Sequence, residues 1–188
     1  RYIAVTGVQT CALPISFFED CGMRRFRADQ TLQWLYARGA CSFDQMTDLA
    51  KEARRLLARH FRISALEVQD VQTAGDGTCK FLFGLEDGNC VESVLIPEKD
   101  HYTLCISTQV GCAMGCAFCM TGKSGLVRNL SRSEIVGQVL AARQEAGNRG
   151  GMPLSNLVLM GMGEPLANYD NVVGALDVIT NSDWGLRF

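Results

Sequence analysis

Three cysteines with close and regular spacing are the residues in this chain best suited to bind a metal. Cys112, Cys116 and Cys119 form a C-x3-C-x2-C motif, and Cys105 stands seven residues upstream. Soft thiolates bind iron–sulfur clusters, zinc or copper(I). A structural zinc site takes four ligands, usually as two separated pairs. Three thiols in one loop instead suit three irons of a 4Fe–4S cluster and leave the fourth iron open for a cofactor or substrate.

The composition supports thiol chemistry inside a reducing compartment. The 188 residues contain nine cysteines, which is an odd number. Those outside the motif and Cys105 are scattered singly, at Cys11, Cys21, Cys41, Cys79 and Cys90. Clustered cysteines in a reducing compartment bind metal or do redox chemistry more often than they form disulfides. Because no apolar run reaches the ~20 residues of a membrane span and no secretory signal is recognisable, we expect a cytoplasmic protein without membrane contact.

Charge is distributed unevenly along the chain. Residues 16–64 contain nine Lys and Arg against six Asp and Glu, whereas residues 65–188 contain eight against fourteen. A basic module on an acidic remainder indicates a polyanionic partner such as RNA, but a solvated helix face would carry the same charges. Arg24, Arg25 and Arg27 are candidates for phosphate contacts.

The sequence divides into four parts. We exclude residues 1–15 from fold reasoning, because VTGVQTCALPI has the character of a translated sequencing adapter. DWGLRF at the other end stops without a closing element, so both ends are expected to be truncated. Residues 16–64 are expected to form a helical accessory domain that binds RNA, residues 65–98 a β-hairpin extension, and residues 99–188 the first part of a β/α core.

Helical periodicity dominates the accessory domain. Ser42 and Gln45 form a weak capping box, which predicts that a helix begins here. Its apolar face would contain Leu49, Ala53, Leu56 and Leu57. An earlier helix is predicted to end near Gly39, with Trp34 as an anchor in the core or between helices. Its apolar residues are Leu32, Leu35 and Tyr36.

A β-hairpin is predicted next. CKFLFGLEDGNCVESVLIP contains two strand-like runs around the turn residues 87–89. In the second run Cys90, Glu92, Val94 and Ile96 share one face. Glu92 is then an acid among apolar neighbours, which would fit it for proton transfer. Alternatively this is an edge or solvent face, and the residues alone favour that interpretation.

After Pro97 strands and helices alternate. YTLCIST predicts a strand that leads into the cysteine motif, and Ser131 with Glu134 forms a capping box flanked by a hydrophobic staple of Leu130 and Ile135. The strand NLVLM runs into GMGEP. The next helix is marked by Val172, Val173, Leu176 and Ile179. Two β/α units predict an α/β fold with a parallel sheet and, because two units cannot close a barrel, an open sheet edge.

C-A-M-G-C-A-F-C resembles the cluster motif of the radical S-adenosylmethionine superfamily. The longer stretches CISTQVGCAMGCAFCMTGKSGLVRNLSRSEIVGQVL and LVLMGMGEPLANYDNV resemble the RlmN/Cfr family of RNA methyltransferases, and the likeness extends upstream through DGNCVESVLIP to FRADQTLQWLYARG. It covers nearly all of the chain from Ser16. The resemblance implies a partial radical-SAM β/α barrel of about two β/α units, with the helical accessory domain and the β-hairpin extension.

The resemblance also implies the cofactors. The three motif cysteines would hold a 4Fe–4S cluster, and the methionyl amine and carboxylate of S-adenosylmethionine would chelate its open iron. Phe118 would lie near the adenine of that cofactor. Gly163 and Glu164 of GMGEP would receive its amino end, since glycines let the backbone approach a ligand and a carboxylate accepts from an ammonium.

The family's reaction adds two catalytic residues. Glu92 matches its proton acceptor, which replaces the solvent-face interpretation, and Cys105 matches the thiol that resolves an enzyme–RNA adduct. The family methylates C2 of an adenine in 23S rRNA and in tRNA through a methylated cysteine near its C-terminus. No such cysteine follows within the sequence, so the fragment alone is expected to be inactive. A reducing electron donor such as flavodoxin is a further expected partner.

Other interpretations stay open. A Cfr-like adenine-C8 methyltransferase shares the cysteine motif, the RNL helix entry and the GEP turn. A zinc-stabilised RNA-binding module would use Cys105 as its fourth ligand. Lys123 and Arg128, near the motif, would either contact phosphate or pair with local acids.

Overall fold

A mixed β-sheet, with helices against one face, organises the protein. The computed structural model describes residues 3–4, 17–63, 66–149 and 151–181. Of the segment 1–15, only Ile3–Ala4 (β1) is described, and it pairs in parallel with Phe61–Arg62 (β2). The remainder of that segment and the final DWGLRF lie outside the described residues. The adapter-derived origin of residues 1–15 therefore stays a prediction.

The N-terminal region is helical, as predicted. Helix α1 spans Phe26–Tyr36 and helix α2 spans Lys51–His60. The apolar residues predicted for the first helix are all buried: Leu32, Leu35 and Tyr36. The chain then turns at Gly39, which has φ +64°. A left-handed residue of this kind commonly ends a helix.

The predicted start of the second helix at Ser42 is wrong. The capping box there begins only the short 3-10 helix Phe43–Gln45. Tertiary contacts fix the segment that follows, because Trp34 Nε1 donates to Asp48 Oδ1 at 2.5 Å and Arg27 Nη1 donates to the Asp48 carbonyl at 3.0 Å. Trp34 thereby anchors α1 to the segment before α2, in agreement with its predicted role.

Seven further strands follow. They are Glu67–Thr73 (β3), Cys79–Gly84 (β4), Cys90–Pro97 (β5), Tyr102–Cys105 (β6), Gln109–Gly111 (β7), Leu126–Asn129 (β8) and Leu154–Val158 (β9). Strands β7 and β8 form a separate ribbon around the short helix α3, Met120–Lys123. The others form one sheet in the order β3-β4-β5-β6-β9. The predicted hairpin, β4 and β5, is therefore continuous with the strands of the β/α unit.

Strand β3 is absent from the sequence-based prediction. Its sequence EVQDVQT does not alternate between apolar and polar residues, and its register on β4 shifts between Val68 and Asp70. The strand lies at the sheet edge and is exposed along its whole length. Without a buried face, it carries no period-2 signal in its sequence.

The predicted β/α unit is present. Strands β6 and β9 are parallel, and helix α4, Arg132–Asn148, lies between them in the chain. Its capping box is confirmed, since Ser131 and Glu134 bond reciprocally and the staple residues Leu130 and Ile135 are buried. The expected parallel sheet is nevertheless a mixed one, because the hairpin pairs antiparallel to β6. Strand β9 forms a sheet edge, as expected from two units.

The last described helix, α5, spans Tyr169–Ile179. It buries Val172, Ala175, Val178 and Ile179. The predicted helix is therefore present, and Val173, one of the residues that mark it, is 36% exposed. Across the described parts of the chain, no helix combines the length and apolarity that a membrane span requires.

Candidate functional site

The motif cysteines lie in a loop, residues 112–125, that the β7–β8 ribbon closes at its base. We call it the cysteine loop. Gly111 pairs with Leu126, and the N–H of Cys112 donates to the carbonyl of Gly125 at 3.0 Å. Gly111 has φ +74°, and a Cβ there would lie 1.9 Å from the Gly125 carbonyl oxygen. A glycine at this position therefore lets the two ends of the loop meet in close contact.

The three thiols have different environments. Cys112 is buried at the base of the loop, Cys119 is half-buried and Cys116 is exposed. The N–H of Met114 donates to Cys112 Sγ at 3.5 Å. A backbone hydrogen bond from Gly122 holds the pKa of the Cys119 thiol below its usual value, which favours the thiolate that binds metals.

The donor set fits an iron–sulfur cluster in number and chemistry. All three motif cysteines are free thiols, and backbone N–H groups point at two of the sulfurs. As the side chains stand in the described residues, however, no three Cys, His, Asp or Glu gather closely enough to hold a metal ion. Cys105, the fourth ligand of the zinc alternative, lies outside the loop in β6. Both ligand sets stay predictions.

The GMGEP turn packs directly against the segment that leads into the cysteine loop. The Thr108 N–H donates to the Met162 carbonyl at 2.7 Å, and the Gly161 N–H donates to the Ile106 carbonyl at 3.1 Å. A Cβ on Gly163, whose φ is +103°, would lie 2.5 Å from the Cβ of Gln109. The turn therefore approaches this segment too closely for a side chain at Gly163.

Glu164 faces the loop base through its backbone and caps a helix with its side chain. Its N–H donates to Gln109 Oε1 at 2.8 Å, and its Oε1 accepts from the Leu166 N–H at 3.0 Å. The cap begins the 3-10 helix Pro165–Asn168. Oε2 makes no hydrogen bond within the described residues, which leaves it able to accept from a ligand.

A buried glutamine joins helix α4 to the sheet. Gln138 Oε1 accepts from Ser107 N at 2.9 Å and from Ser93 Oγ at 2.6 Å, while its Nε2 donates to the Ser107 carbonyl at 3.0 Å. Ser107 Oγ then donates to the Glu92 carbonyl at 2.5 Å and accepts from Met162 N at 2.8 Å. We call these residues the Gln138 network. It connects the strand of Glu92, the GMGEP turn and the approach to the cysteine loop.

Two further amides extend this connection to the ribbon. Gln109 Nε2 donates to Asn129 Oδ1 at 2.7 Å. Asn168 Nδ2 donates to the carbonyls of Thr108 and Leu130, each at 2.8 Å. Sequence reasoning missed these residues and Gln138. The available signal was a polar residue at i+3 from Ile135, on the apolar face of a helix.

Glu92 and Cys105 lie on the same face of the sheet. Val94 is the register partner of Cys105, and Glu92 is two positions from Val94 along β5, so all three side chains share a face. This open face carries the half-exposed residues of β5, whereas Val91, Ser93 and Leu95 on the other face are buried. This half-exposed face agrees with the solvent-face interpretation that the residues alone favour, and the role of Glu92 as a proton acceptor stays a prediction.

Polar and thiol groups on the open face have defined surroundings. Lys80 Nζ lies 3.0 Å from Glu92 Oε1, with both side chains nearly half exposed. Burial raises the pKa of the Cys105 thiol, although a backbone hydrogen bond with Met160 opposes it. The Cys105 thiol therefore ionises less readily than that of Cys119, whose pKa is lowered.

The surface beside the cysteine loop is apolar. Phe118 is 91% exposed, and other exposed apolar side chains around the loop and the turn after β9 are Met114, Met120, Met160 and Leu166. Lys123 is exposed and has no ion-pair partner in the described ranges. Arg128 pairs with Asp87 and Glu134, which favours the local-acid alternative for this residue.

The chain is similar to proteins named as RNA methyltransferases. Residues 12–63 match a family described as "Ribosomal RNA large subunit methyltransferase N-terminal domain". A dual-specificity RNA methyltransferase RlmN from Desulfosudis oleivorans is 58% identical over 87% of this chain and 43% of the relative. The corresponding protein of Geobacter sulfurreducens is 55% identical over 89% and 44%. The chain thus spans less than half of the length of these two relatives.

A solved structure shares the fold. A radical SAM methyltransferase from Sphaerobacter thermophilus superposes with a TM-score of 0.87 at 38% identity, over 96% of this chain and 53% of that one. The predicted fold class, an α/β fold with part of a radical-SAM barrel, is therefore confirmed.

Removal of the Gln138 hydrogen bonds should destabilise the protein. Gln138→Met keeps the side-chain volume but leaves buried groups of Ser93 and Ser107 unpaired, so we expect unfolding free energy to fall by about 2–3 kcal/mol. Urea unfolding measures it. Gln144→Met, at an exposed position of the same helix, should change little. Equal effects of the two substitutions would contradict the role of the network.

A side chain at Gly163 should displace the GMGEP turn. Gly163→Ala places a Cβ against Gln109 and at a strained φ, so we expect destabilisation by about 1–3 kcal/mol. Gly147→Ala is the matched control, because nothing lies within 4 Å of a Cβ there and helical alanine is favoured over glycine. The two variants should shift the urea midpoint in opposite directions, and a neutral Gly163→Ala would show that the turn has room.

Cys119 and Cys105 should differ in alkylation by iodoacetamide. In the metal-free chain, the lowered pKa of Cys119 predicts that its reaction begins at a lower pH than that of Cys105, whose pKa is raised. Mass spectrometry of digested protein, alkylated between pH 6 and pH 9, compares the two. In urea the difference should disappear. Parallel pH profiles in the folded chain would contradict the assignment.

Proposed function

Since this chain belongs to the RlmN family of dual-specificity RNA methyltransferases, we propose that it contains the cofactor-binding part of an RNA-methylating radical enzyme. One observation carries the proposal: residues 106–109 lead into the three-cysteine loop and are also hydrogen-bonded to the GMGEP turn. The activity is methylation of an adenine C2 in 23S rRNA and in tRNA. This carbon lies between two ring nitrogens and is electron-poor, so it does not attack a methyl sulfonium as a nucleophile would.

Cys112, Cys116 and Cys119 would hold a 4Fe–4S cluster. When bound, the cluster supplies the electron that cleaves S-adenosylmethionine, and a reducing protein such as flavodoxin would replenish it. The chain's own contribution is to close the loop tightly at Gly111 and to direct N–H groups at the sulfurs. Hydrogen bonds of this kind adjust the potential of a cluster.

The GMGEP turn and Phe118 would bind S-adenosylmethionine. Gly161 and Gly163 place the backbone close to the loop base, and Glu164 Oε2 is available to accept from the cofactor's ammonium. The exposed ring of Phe118 offers an apolar surface for the adenine. These three contributions come from one end of the β6–β9 strand pair, where ligands of parallel β/α folds bind.

Glu92 and Cys105 would act on the RNA from the open face. The Glu92 carboxylate is oriented by Lys80 and would accept the proton that leaves C2. Cys105 would resolve the covalent adduct between enzyme and RNA, for which its thiol must first lose its proton. No residue that the structure describes is assigned the role of the methyl-carrying cysteine, and the two relatives are about twice the length of this chain.

The helical region 17–63 would contact RNA phosphates. Arg24 and Arg25 are exposed and support this role. Arg27 instead donates to Gln30 Oε1 at 2.8 Å and to the Asp48 carbonyl, so its first task is to hold the helical region together. An enzyme with these RNA substrates would act in the cytoplasm.

Anaerobic reconstitution with iron and sulfide tests the proposal. We expect a brown protein with about four irons and about four sulfides per chain, as in a 4Fe–4S cluster, which releases methionine from S-adenosylmethionine after reduction. Cys112→Ala, Cys116→Ala and Cys119→Ala should each lose most of the iron, whereas Cys41→Ala, outside the loop, should retain it. A colourless protein with one zinc that is lost in Cys105→Ala would instead favour the zinc-stabilised module.

A further inference from the structure

One arginine joins three elements around the cysteine loop. Arg128 lies in β8, the strand by which the chain leaves the loop. Its Nη2 and Nη1 donate to the two carboxylate oxygens of Glu134 at 2.8 and 3.0 Å, and its Nε donates to Asp87 Oδ2 at 2.5 Å. Asp87 belongs to the turn between β4 and β5, and Glu134 to the first turn of α4. We call these three residues the Arg128 tether.

The two ends of the cysteine loop are held by different means. All residues of β7, which enters the loop, are buried. In β8, Leu126 is 45% and Val127 62% exposed, and only Arg128 is partly buried. The ribbon itself is short and has a register shift next to Gly111. Burial thus fixes the entering strand, whereas the leaving strand is held by the side chains of Arg128 and Asn129, and only Arg128 connects it to the hairpin turn and to α4.

The charges of the tether reinforce one another. Hydrogen bonds from Arg128 hold the pKa of Asp87 well below its usual range. Burial of Glu134 opposes its ionisation, but the hydrogen bonds from Arg128 and Ser131 outweigh the effect of burial and lower the pKa of Glu134. The two acids raise the pKa of Arg128 in return. A bidentate, partly buried arrangement is stronger and more directional than an exposed ion pair.

We propose that Arg128 is a positioning residue, which fixes the leaving strand of the cysteine loop against the hairpin whose strand β5 carries Glu92. The tether sets the spacing between the cluster ligands and the open face of the sheet. The chemical purpose of this spacing rests on the proposed function. The tether also keeps the loop in the conformation that retains a cluster. A lysine cannot fully replace Arg128, because an ammonium group lacks the planar guanidinium fork that binds two carboxylates at once.

Hydrogen exchange in the metal-free chain tests the tether directly. Arg128→Gln should accelerate exchange of the amides in residues 112–129 by roughly tenfold or more, the factor expected when charge-assisted hydrogen bonds are lost. Arg128→Lys should give a smaller increase. Arg149→Gln is the matched control, since Arg149 pairs with Glu145 on the same helix at similar exposure, and exchange in residues 112–129 should not change. Unchanged exchange in Arg128→Gln would overturn the proposal.

Iron retention gives the second measurement. After anaerobic reconstitution, Arg128→Gln should lose iron to a chelator roughly tenfold faster than the unaltered chain, with Arg128→Lys between them and Arg149→Gln unchanged. If Arg128→Gln fails to fold, Asp87→Asn, which removes the negative charge that Arg128 Nε contacts on the hairpin turn, replaces it in both experiments. Iron loss at the unaltered rate in folded variants would overturn the proposal. If the unaltered chain itself binds no iron, the proposed function fails, and hydrogen exchange still decides the tether.

Discussion

The hydrogen bonds of Gln138 are the constraint on which the site depends. One buried amide satisfies both backbone groups of Ser107, and Ser107 in turn bonds the carbonyl of Glu92 and the N–H of Met162. The groups are buried, so each would be costly if left unpaired. Helix, sheet and turn can therefore occupy only positions in which all of these bonds are made. The cysteine loop follows this fixed segment in the chain, and the GMGEP turn, which follows β9, packs against it.

The features that sequence analysis predicted correctly are local ones. The capping box at Ser131 and the turn at 87–89 each depend on residues close together in the chain, and each is a pattern with a known physical cause. The parallel β/α unit followed because its strands and helix have clear, uninterrupted periods. Which apolar residues of α5 face the core is decided by packing, which buries Val172 and leaves Val173 exposed.

The features that were missed depend on contacts between distant segments. Both faces of β5 carry apolar residues, so alternation alone did not reveal which face helix α4 would cover. Strand β3 has no buried face and a shifted register. The helix expected from Ser42 is interrupted because Trp34 and Arg27, on another helix, fix Asp48. The partners of Gln138 and Arg128 lie on elements whose positions no sequence period specifies.

Glu134 belongs both to the cap of helix α4 and to the Arg128 tether, and this restricts the residues that can replace it. Its Oε2 accepts from the N–H of Ser131 at 2.7 Å and so completes the helix cap, while both of its oxygens bind the guanidinium of Arg128. Glutamine would preserve the cap but surrender the negative charge, and aspartate would preserve the charge but is one methylene too short to span both partners. Substitutions of Glu134 are therefore expected to be rare, even though Glu134 has no proposed role in the reaction.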